Sequence, residues 1–369
     1  MRGPMRIVYV LTTLAMGGAE RQVLAIARRM AARGHNVVLL VVKARQPDDC
    51  VTDLSVVHLK IGKDVASSVA GLRRGVGFLR EFRPEIIHSN NFHGNMLARL
   101  MRFFHRHARL VSTIHNVYEG GRLRMLAYRM SDWLVDRTTA VSEAVAERFI
   151  KLKATRKSKC VIVTNGIEIA NFVPNAGRRA ATREQMGVSD EFVWISVGRI
   201  TAAKDIPNLL QGFENVRRAF PQAQLWIAGN APTSEKKSDA VISMPDGAMH
   251  QVRWLGLRRD VAALLDAADG FVLSSAWEGM PLALGEAMAM EKPVVATDVG
   301  GVSELAGDCG VIVPARNPTA LAEAMLAVMK QSQEERAAMG RLARARIVRD
   351  FGMDRKADEW EVVYRSALN

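Results

Sequence analysis

Short apolar runs rich in Val, Ile and Leu alternate along this chain with longer stretches of helical periodicity. The first pattern predicts strands buried on both faces, and the second predicts helices packed over them. Regular alternation of the two predicts parallel sheets in an α/β fold. In the first half the strand-like runs are Arg6–Leu11, Asn36–Val42, Ser55–Leu59, Ile86–His88, Leu110–Ile114 and Thr138–Val141. Ala19–Ala32, Ala66–Arg83, Asn95–His107, Gly121–Asp136 and Glu143–Leu152 read as the helices between them. Val161–Val163 reads as a last short strand before the turn pair Asn165-Gly166.

Residues 168–190 carry a Pro-Asn turn, a basic stretch and little apolar periodicity, which predicts a linker. A second alternation then begins. Its strands are Phe192–Val197, Gln224–Ile227, Val252–Trp254, Gly270–Leu273, Pro293–Ala296 and Gly310–Val313. Its helices include Ala203–Phe220, Arg259–Ala267, Pro281–Met290 and Thr319–Gln331, and Glu334–Leu368 is helical with a break at Phe351-Gly352. The expected organisation is therefore two Rossmann-like, doubly wound domains, 1–168 and 191–350, with a linker at 169–190. A ligand cleft is expected between them. In such sheets ligands sit beyond the carboxyl ends of strands, so residues just after strands carry the interest.

A length of 369 residues also favours two cores over one. The 49% apolar and 24% charged composition is that of a globular chain. No apolar run reaches the roughly 18 residues of a membrane span, and the start of the chain reads as a strand rather than a secretory signal. Cys50, Cys160 and Cys309 lack metal-ligand spacing and read as reduced thiols of a cytosolic protein. Charge changes the picture more. Residues 1–190 hold 31 Lys/Arg against 15 Asp/Glu, whereas the rest holds 20 against 23. That asymmetry suggests an anionic partner for the first half (membrane lipid, nucleic acid or a phosphorylated acceptor), with a solvated basic face as the plain alternative.

Several strand ends carry candidate chemistry. Gly17-Gly18-Ala19-Glu20 opens the first helix, where free amides suit an anion, although a tight turn would need the same glycines. Gly198-Arg199, with Lys204 near the next helix, can cradle a diphosphate. The stretch Ser274–Glu291 places Glu278 in a loop and Glu286 eight positions on, inside a largely apolar helix. Between them the amides of Gly279, Met280 and Leu282 flank Pro281, a residue suited to a first helical turn. Paired carboxylates suit sugar and ribose hydroxyls and also permit acid–base chemistry. His115 follows a strand, and His88 and His93 bracket another strand end. Arg122, Arg124 and Arg129 interleave with Leu123, Met125, Leu126, Tyr128 and Trp133, which fits a membrane-surface helix, an acceptor groove or an ordinary core-facing helix.

Together, Gly17-Gly18-Ala19-Glu20, Val163–Glu168, Val197-Gly198-Arg199 with Lys204, and Glu278 with Glu286 resemble family-four retaining glycosyltransferases of the GT-B fold. Lys204–Leu210 and Thr297–Gly301 are most similar to members that build bacterial surface polysaccharides, O-antigen among them. The resemblance implies that Gly18, Arg199 and Lys204 meet the diphosphate of a nucleotide-sugar donor, and Gly198 ends the strand that presents them. It implies that Glu286 binds the ribose, that Glu278, Gly279, Met280, Pro281 and Leu282 hold the sugar, and that His115 contacts the sugar from the opposite side. The base would lie near Trp254-Leu255-Gly256. His93, Asn116 and Arg122 are the acceptor-side candidates, and residues 351–369 would cross back to the first domain. Two departures stand out: Asp205 where Gly is frequent, and Met280 where Phe is frequent.

These roles imply transfer with retention, without metal or cofactor, because Arg199 and Lys204 offset the leaving group's charge. The expected partners are a nucleotide sugar (UDP favoured), a saccharide or polyprenyl-diphosphate-linked acceptor and an anionic membrane surface, with no nucleic acid. The expected location is cytoplasmic, peripheral on the inner membrane face. Three other readings stay open: a nucleotide-sugar epimerase, a nucleic-acid-binding protein, and a dinucleotide oxidoreductase. The missing three-glycine fingerprint disfavours the oxidoreductase.

Overall fold

A computed structural model describes residues 3–15, 17–46, 52–230 and 251–369. Cys50 lies outside the described residues; Cys160 and Cys309 are free thiols. The chain divides into two compact units, Met1–Gly166 with Met353–Asn369, and Ile167–Gly352.

The first unit runs β1 (Arg6–Leu11), α1 (Gly18–Ala32), β2 (Asn36–Val41), β3 (Ser55–His58), α2 (Val65–Phe82), β4 (Ile86–Asn90), α3 (Asn91–Phe104), β5 (Arg109–Ile114), α4 (Arg122–Ser131), β6 (Arg137–Ala140), α5 (Glu143–Lys151) and β7 (Cys160–Ile162). All seven strands are parallel, in the order β3-β2-β1-β4-β5-β6-β7. Ile7 of β1 pairs with Val37 on one side and Ile86 on the other. Five consecutive residues, Ile7–Leu11, are wholly buried, which is why β1 reads as an unbroken apolar run. Asp64 and Ser142 cap α2 and α5 by accepting the amides of Ser67 and Val145. Two boundaries shift from those expected. α3 begins at Asn91 rather than Asn95, and α4 ends at Ser131, where the 3₁₀ turn Asp132–Leu134 leads into β6.

The second unit runs α6 (Ala176–Gln185), β8 (Val193–Val197), α7 (Ile206–Ala219), β9 (Gln224–Ala228), β10 (Val252–Gly256), α8 (Val261–Ala267), β11 (Gly270–Leu273), α9 (Leu282–Ala289), β12 (Val294–Thr297), α10 (Val302–Ala306), β13 (Val311–Val313), α11 (Pro318–Lys330) and α12 (Gln333–Asp350). Its described strands are parallel, in the order β10-β9-β8-β11-β12-β13. Residues 168–190, expected as a linker, instead hold α6 within this unit. The reason is electrostatic. α6 docks through arginines: Arg178 pairs with Asp266, while Arg179 and Arg183 reach Asp269 at 2.5 and 3.1 Å. Apolar periodicity cannot reveal a helix held that way. The helix expected at Ala203–Phe220 is also split. Ala202–Lys204 form a 3₁₀ turn, Asp205 adopts a left-handed conformation (φ 46°), and α7 starts only at Ile206. That conformation accounts for Gly at this position elsewhere, and Asp is among the residues that tolerate it.

The last helix, α13 (Met353–Leu368), returns to the first unit and packs against α1. It buries Met353, Ala357, Trp360, Val363, Tyr364 and Ala367, one stripe of a helix. Tyr364 also meets the core chemically: its hydroxyl lies 3.0 Å from Tyr9 Oη and 2.7 Å from His88 Nδ1. His88 Nε2 meets Thr113 Oγ1 at 2.6 Å, and burial holds its pKa well below the ordinary value. His88 is thus a core residue. Among the described residues no helix is long and apolar enough to cross a membrane.

Candidate functional site

Both sheets reverse their winding beside their first strand: β2 lies on one side of β1 and β4 on the other, as β9 and β11 flank β8. Such a switch point opens a crevice beyond the carboxyl ends of the two central strands. In each unit the sequence candidates gather at that edge.

In the second unit Gly198 directly follows β8, with a φ of +155°. Gly229, at the end of β9, approaches it so closely that a Cβ there would lie 1.8 Å from the Gly198 carbonyl oxygen. The glycines let two strand ends converge as bare backbone. Arg199 follows, exposed and without a hydrogen bond or ion pair to the described residues. Lys204 folds back from its 3₁₀ turn, placing Nζ 2.7 Å from Glu278 Oε1. Ser275 Oγ donates to the same oxygen at 2.7 Å. Ser274 Oγ donates to the Lys204 carbonyl at 2.8 Å, and the Ala276 amide to the Ala203 carbonyl at 2.8 Å, so the loop after β11 is stitched to the turn after β8.

That loop is also fixed from below. Gly300 is left-handed (φ 56°), and a Cβ on it would sit 2.1 Å from the Glu278 carbonyl oxygen. The Gly301 amide donates to the Gly279 carbonyl at 2.7 Å. Met280 and Pro281 are buried, and Pro281 occupies the N-cap position of α9, one residue earlier than a first-turn proline. Pro281, as N-cap, offers no side-chain hydrogen bond to the amides of α9. Glu286, in the middle of α9, is 3% exposed. Leu255 lies half-buried in β10, where the register shifts between Trp254 and Gly256. Lys204, Glu278, Gly198 and Arg199 therefore follow the adjacent strands β8 and β11, while Leu255 belongs to the edge strand β10, beyond β9.

In the first unit Gly17 is the N-cap of α1 and Gly18 its exposed first residue. His115, just past β5, is held at both ends. Its Nε2 lies 2.9 Å from Asn90 Oδ1 at the end of β4, and its amide donates to Glu119 Oε1 at 3.2 Å. Nδ1 is enclosed with no hydrogen-bond partner, and burial lowers the imidazole's pKa to about 4. Neutral His115 thus offers a hydrogen-bonding atom, not a positive charge, at neutral pH. Burial pushes the Glu119 carboxyl the other way, up to about 7, against the bonds it accepts from Tyr128 and His115 and the charges of Arg124 and Arg99. Tyr128 Oη donates to Glu119 at 2.5 Å and accepts from Asn95 at 3.0 Å. Asn95 in turn reaches Ser89 and the Thr113 carbonyl.

The acceptor-side candidates are more scattered. His93 is in the first turn of α3 with its ring edge-on to Phe92. Asn116 accepts the Tyr118 amide, and Arg122 is the exposed first residue of α4. Sequence reasoning missed Asn90, Glu119, Ser275, Gly229 and Gly300. Asn90 lies between the two histidines His88 and His93, and Gly300 within the stretch Thr297–Gly301. Glu119 carried no signal beyond its place four residues after His115.

Two parallel, doubly wound sheets, each with a polar cluster at its switch point, have the architecture of the GT-B fold. A crystal structure of Anabaena Alr3699/HepE in complex with UDP and glucose matches this fold with a TM-score of 0.87, over 98% of this chain and all of that one, at 20% identity. The chain belongs to the glycosyltransferases: residues 16–171 match Glycosyltransferase Family 4 and residues 191–331 match Glycosyl transferases group 1. It is 26% identical to a glycogen synthase of Mycobacterium tuberculosis, across 98% of this chain and 95% of the relative. It is 22% identical to the UDP-Gal:alpha-D-GlcNAc-diphosphoundecaprenol alpha-1,3-galactosyltransferase of Escherichia coli, across 66% and 64%.

Proposed function

We propose that this glycosyltransferase moves a hexosyl or N-acetylhexosaminyl group from a UDP-sugar to a saccharide or polyprenyl-diphosphate-linked saccharide, with retention, in building a cell-surface polysaccharide. The observation that carries the reading is the Lys204–Glu278 pair beside Gly198 and Arg199. In this reading an arriving diphosphate draws Lys204 Nζ away from Glu278. Arg199 and Lys204 then neutralise the phosphates, and the released Glu278 carboxylate accepts sugar hydroxyls while Ser275 keeps it oriented. Glu286 takes the ribose hydroxyls, and the backbone near Leu255 takes the base. In the first unit Gly18 is assigned to phosphate and His115 to a sugar hydroxyl, with His93, Asn116 and Arg122 on the acceptor side.

The step conserves atoms simply. The bond from the anomeric carbon to the phosphate oxygen breaks, and UDP leaves with the electron pair. The acceptor oxygen bonds to the same face of that carbon, and its proton passes to the departing phosphate oxygen. The chain's part is positioning and charge stabilisation, for which two cations suffice without a metal ion. The UDP named for the Anabaena structure and the UDP donor and diphosphoundecaprenol acceptor named for the Escherichia coli relative support the choice of substrates. The excess of cations in residues 1–190 supports a cytoplasmic enzyme resting on an anionic membrane face.

Isothermal titration with UDP-glucose, UDP-galactose, UDP-N-acetylglucosamine and GDP-mannose tests the donor site. One UDP-sugar should bind, Lys204→Ala and Glu286→Ala should each weaken it strongly, and EDTA should change nothing. No binding of any nucleotide sugar or UDP overturns the reading. Conversion of the donor to its epimer without acceptor replaces it with an epimerase.

A further inference from the structure

Asn90 stands at the N-cap of α3, where an asparagine ordinarily accepts a hydrogen bond from an amide of the first helical turn. Here it makes no such bond. Its carboxamide is wholly buried and spent elsewhere: Nδ2 donates to the His88 carbonyl at 3.3 Å, and Oδ1 lies 2.9 Å from His115 Nε2. Giving up a cap weakens a helix. The diverted oxygen therefore points to a use at His115.

The bond to His88 decides which end of the carboxamide faces the ring. An amide oxygen has no proton to give, so its contact with Nε2 is a hydrogen bond only if Nε2 carries the hydrogen. In a neutral imidazole Nδ1 is then a bare lone pair. Burial keeps the ring neutral, with its pKa lowered to about 4. The His115 amide, donating to Glu119 Oε1 at 3.2 Å, anchors the other side of the residue. Nδ1 is enclosed and has no hydrogen-bond partner among the described residues, although the residue as a whole is part-exposed. A buried acceptor left without a donor is costly. The group that completes it must give a proton to Nδ1.

We propose that Asn90 is a positioning residue that sets the class of sugar this enzyme transfers: it holds His115 with Nδ1 as a bare acceptor, so the sugar must present a hydroxyl to the ring. This rests on the assignment of His115 to the sugar in the proposed function, and adds what that contact selects. A hydroxyl donates to Nδ1 and completes it. A methyl or methylene group leaves it orphaned. A carboxylate sets its lone pairs against that of the nitrogen. Charging the ring to relieve this at pH 7 costs about a thousandfold against a pKa of about 4. Hexoses and N-acetylhexosamines are admitted, whereas a uronic acid or a deoxy sugar altered at the facing carbon is refused. Asparagine suits this task better than aspartate, because a carboxylate beside Nε2 would favour the charged ring and blur the distinction.

The test is isothermal titration of the full chain with UDP, with the UDP-sugar that binds from the panel above, and with that sugar's deoxy and deoxyfluoro analogues at each hydroxyl. A deoxy position neither donates nor accepts, whereas fluorine keeps an acceptor and loses only the donor. At one carbon both analogues should bind about ten- to a hundredfold more weakly than the parent, the fluoro analogue no better than the deoxy. In Asn90→Ala that penalty should shrink to within about threefold, with UDP affinity unchanged as the sign of an intact fold. Long-range nitrogen–proton NMR of the wild type should place the ring proton of His115 on Nε2, its signals being those lost in His115→Gln. A proton on Nδ1, a fluoro analogue that binds like the parent at every carbon, or a penalty undiminished in Asn90→Ala would overturn this inference alone. Failure of UDP and every UDP-sugar to bind would overturn the donor reading beneath it as well.

Discussion

The two switch points solve the same problem with opposite materials. In the second unit the frame is backbone: Gly198, Gly229 and Gly300 let strand ends and a loop approach to distances no side chain permits. On that frame stands a single exchangeable ion pair, Lys204–Glu278. In the first unit the frame is side chain: Asn90, Glu119, Tyr128 and Asn95 hold one imidazole by hydrogen bonds reaching across neighbouring elements. Long flexible charges can exchange partners when an anion arrives, whereas a buried network fixes one atom in one place. The first arrangement suits charge neutralisation and the second suits orientation.

Breaking the ion pair should have the largest effect. Lys204→Ala should lower kcat on the order of a hundredfold or more with little change in melting temperature, which steady-state kinetics beside calorimetry would show. Breaking the glycine frame should act on stability. Gly300→Ala places a Cβ against the Glu278 carbonyl in left-handed backbone, and should cost about 2–3 kcal/mol. Differential scanning calorimetry should find a melting shift of several degrees assigned to residues 167–352, with weaker donor binding. Asn90→Ala removes one bond to His115 and should cost roughly tenfold in kcat/KM while sparing UDP affinity.

The smallest effect concerns pH. His115 is lowered to about 4, so the unfolded chain takes up a proton near pH 6.5 that the folded chain refuses, and stability falls as pH drops from about 6.5 toward 4. Glu119 is raised to about 7, so the folded chain keeps a proton that the unfolded chain loses near pH 4.5, and stability falls as pH rises from 4.5 toward 7. The two slopes oppose each other over most of that window. Glu119→Gln removes only the second, so its melting temperature should climb more steeply between pH 5 and 7 than the wild type's. Parallel profiles would show that the Glu119 carboxyl titrates as it does in the unfolded chain.

This contrast also explains what could be read in the chain beforehand. Glycines, a lysine after a strand and spaced glutamates are local signals, because the backbone chemistry they serve lies within a few residues. The parallel strands were legible for the same reason, each being a short, continuous apolar run. Asn90 and Glu119 were not legible, since their meaning arises only when β4, β5, α3 and α4 come together. Nor was α6, whose arginines find Asp266 and Asp269 some 88–90 positions away. The pairing of Lys204 with Glu278, 74 positions apart, was likewise hidden although both residues were named. The turn at Asp205 shows local reading failing as well: its helical neighbours masked a left-handed residue.

The return of α13 to the first unit sets an order of events at the ribosome. Residues 167–352 form a continuous stretch that can fold as soon as it emerges. The first unit must wait, because Tyr9 and His88 bond to Tyr364, which is made after residues 167–352. Until then the groove beside α1 remains open, with the apolar side chains that will receive Trp360 and Val363 in water. The half of the protein synthesised first is therefore the half completed last, and the half that a chaperone would have most reason to shelter.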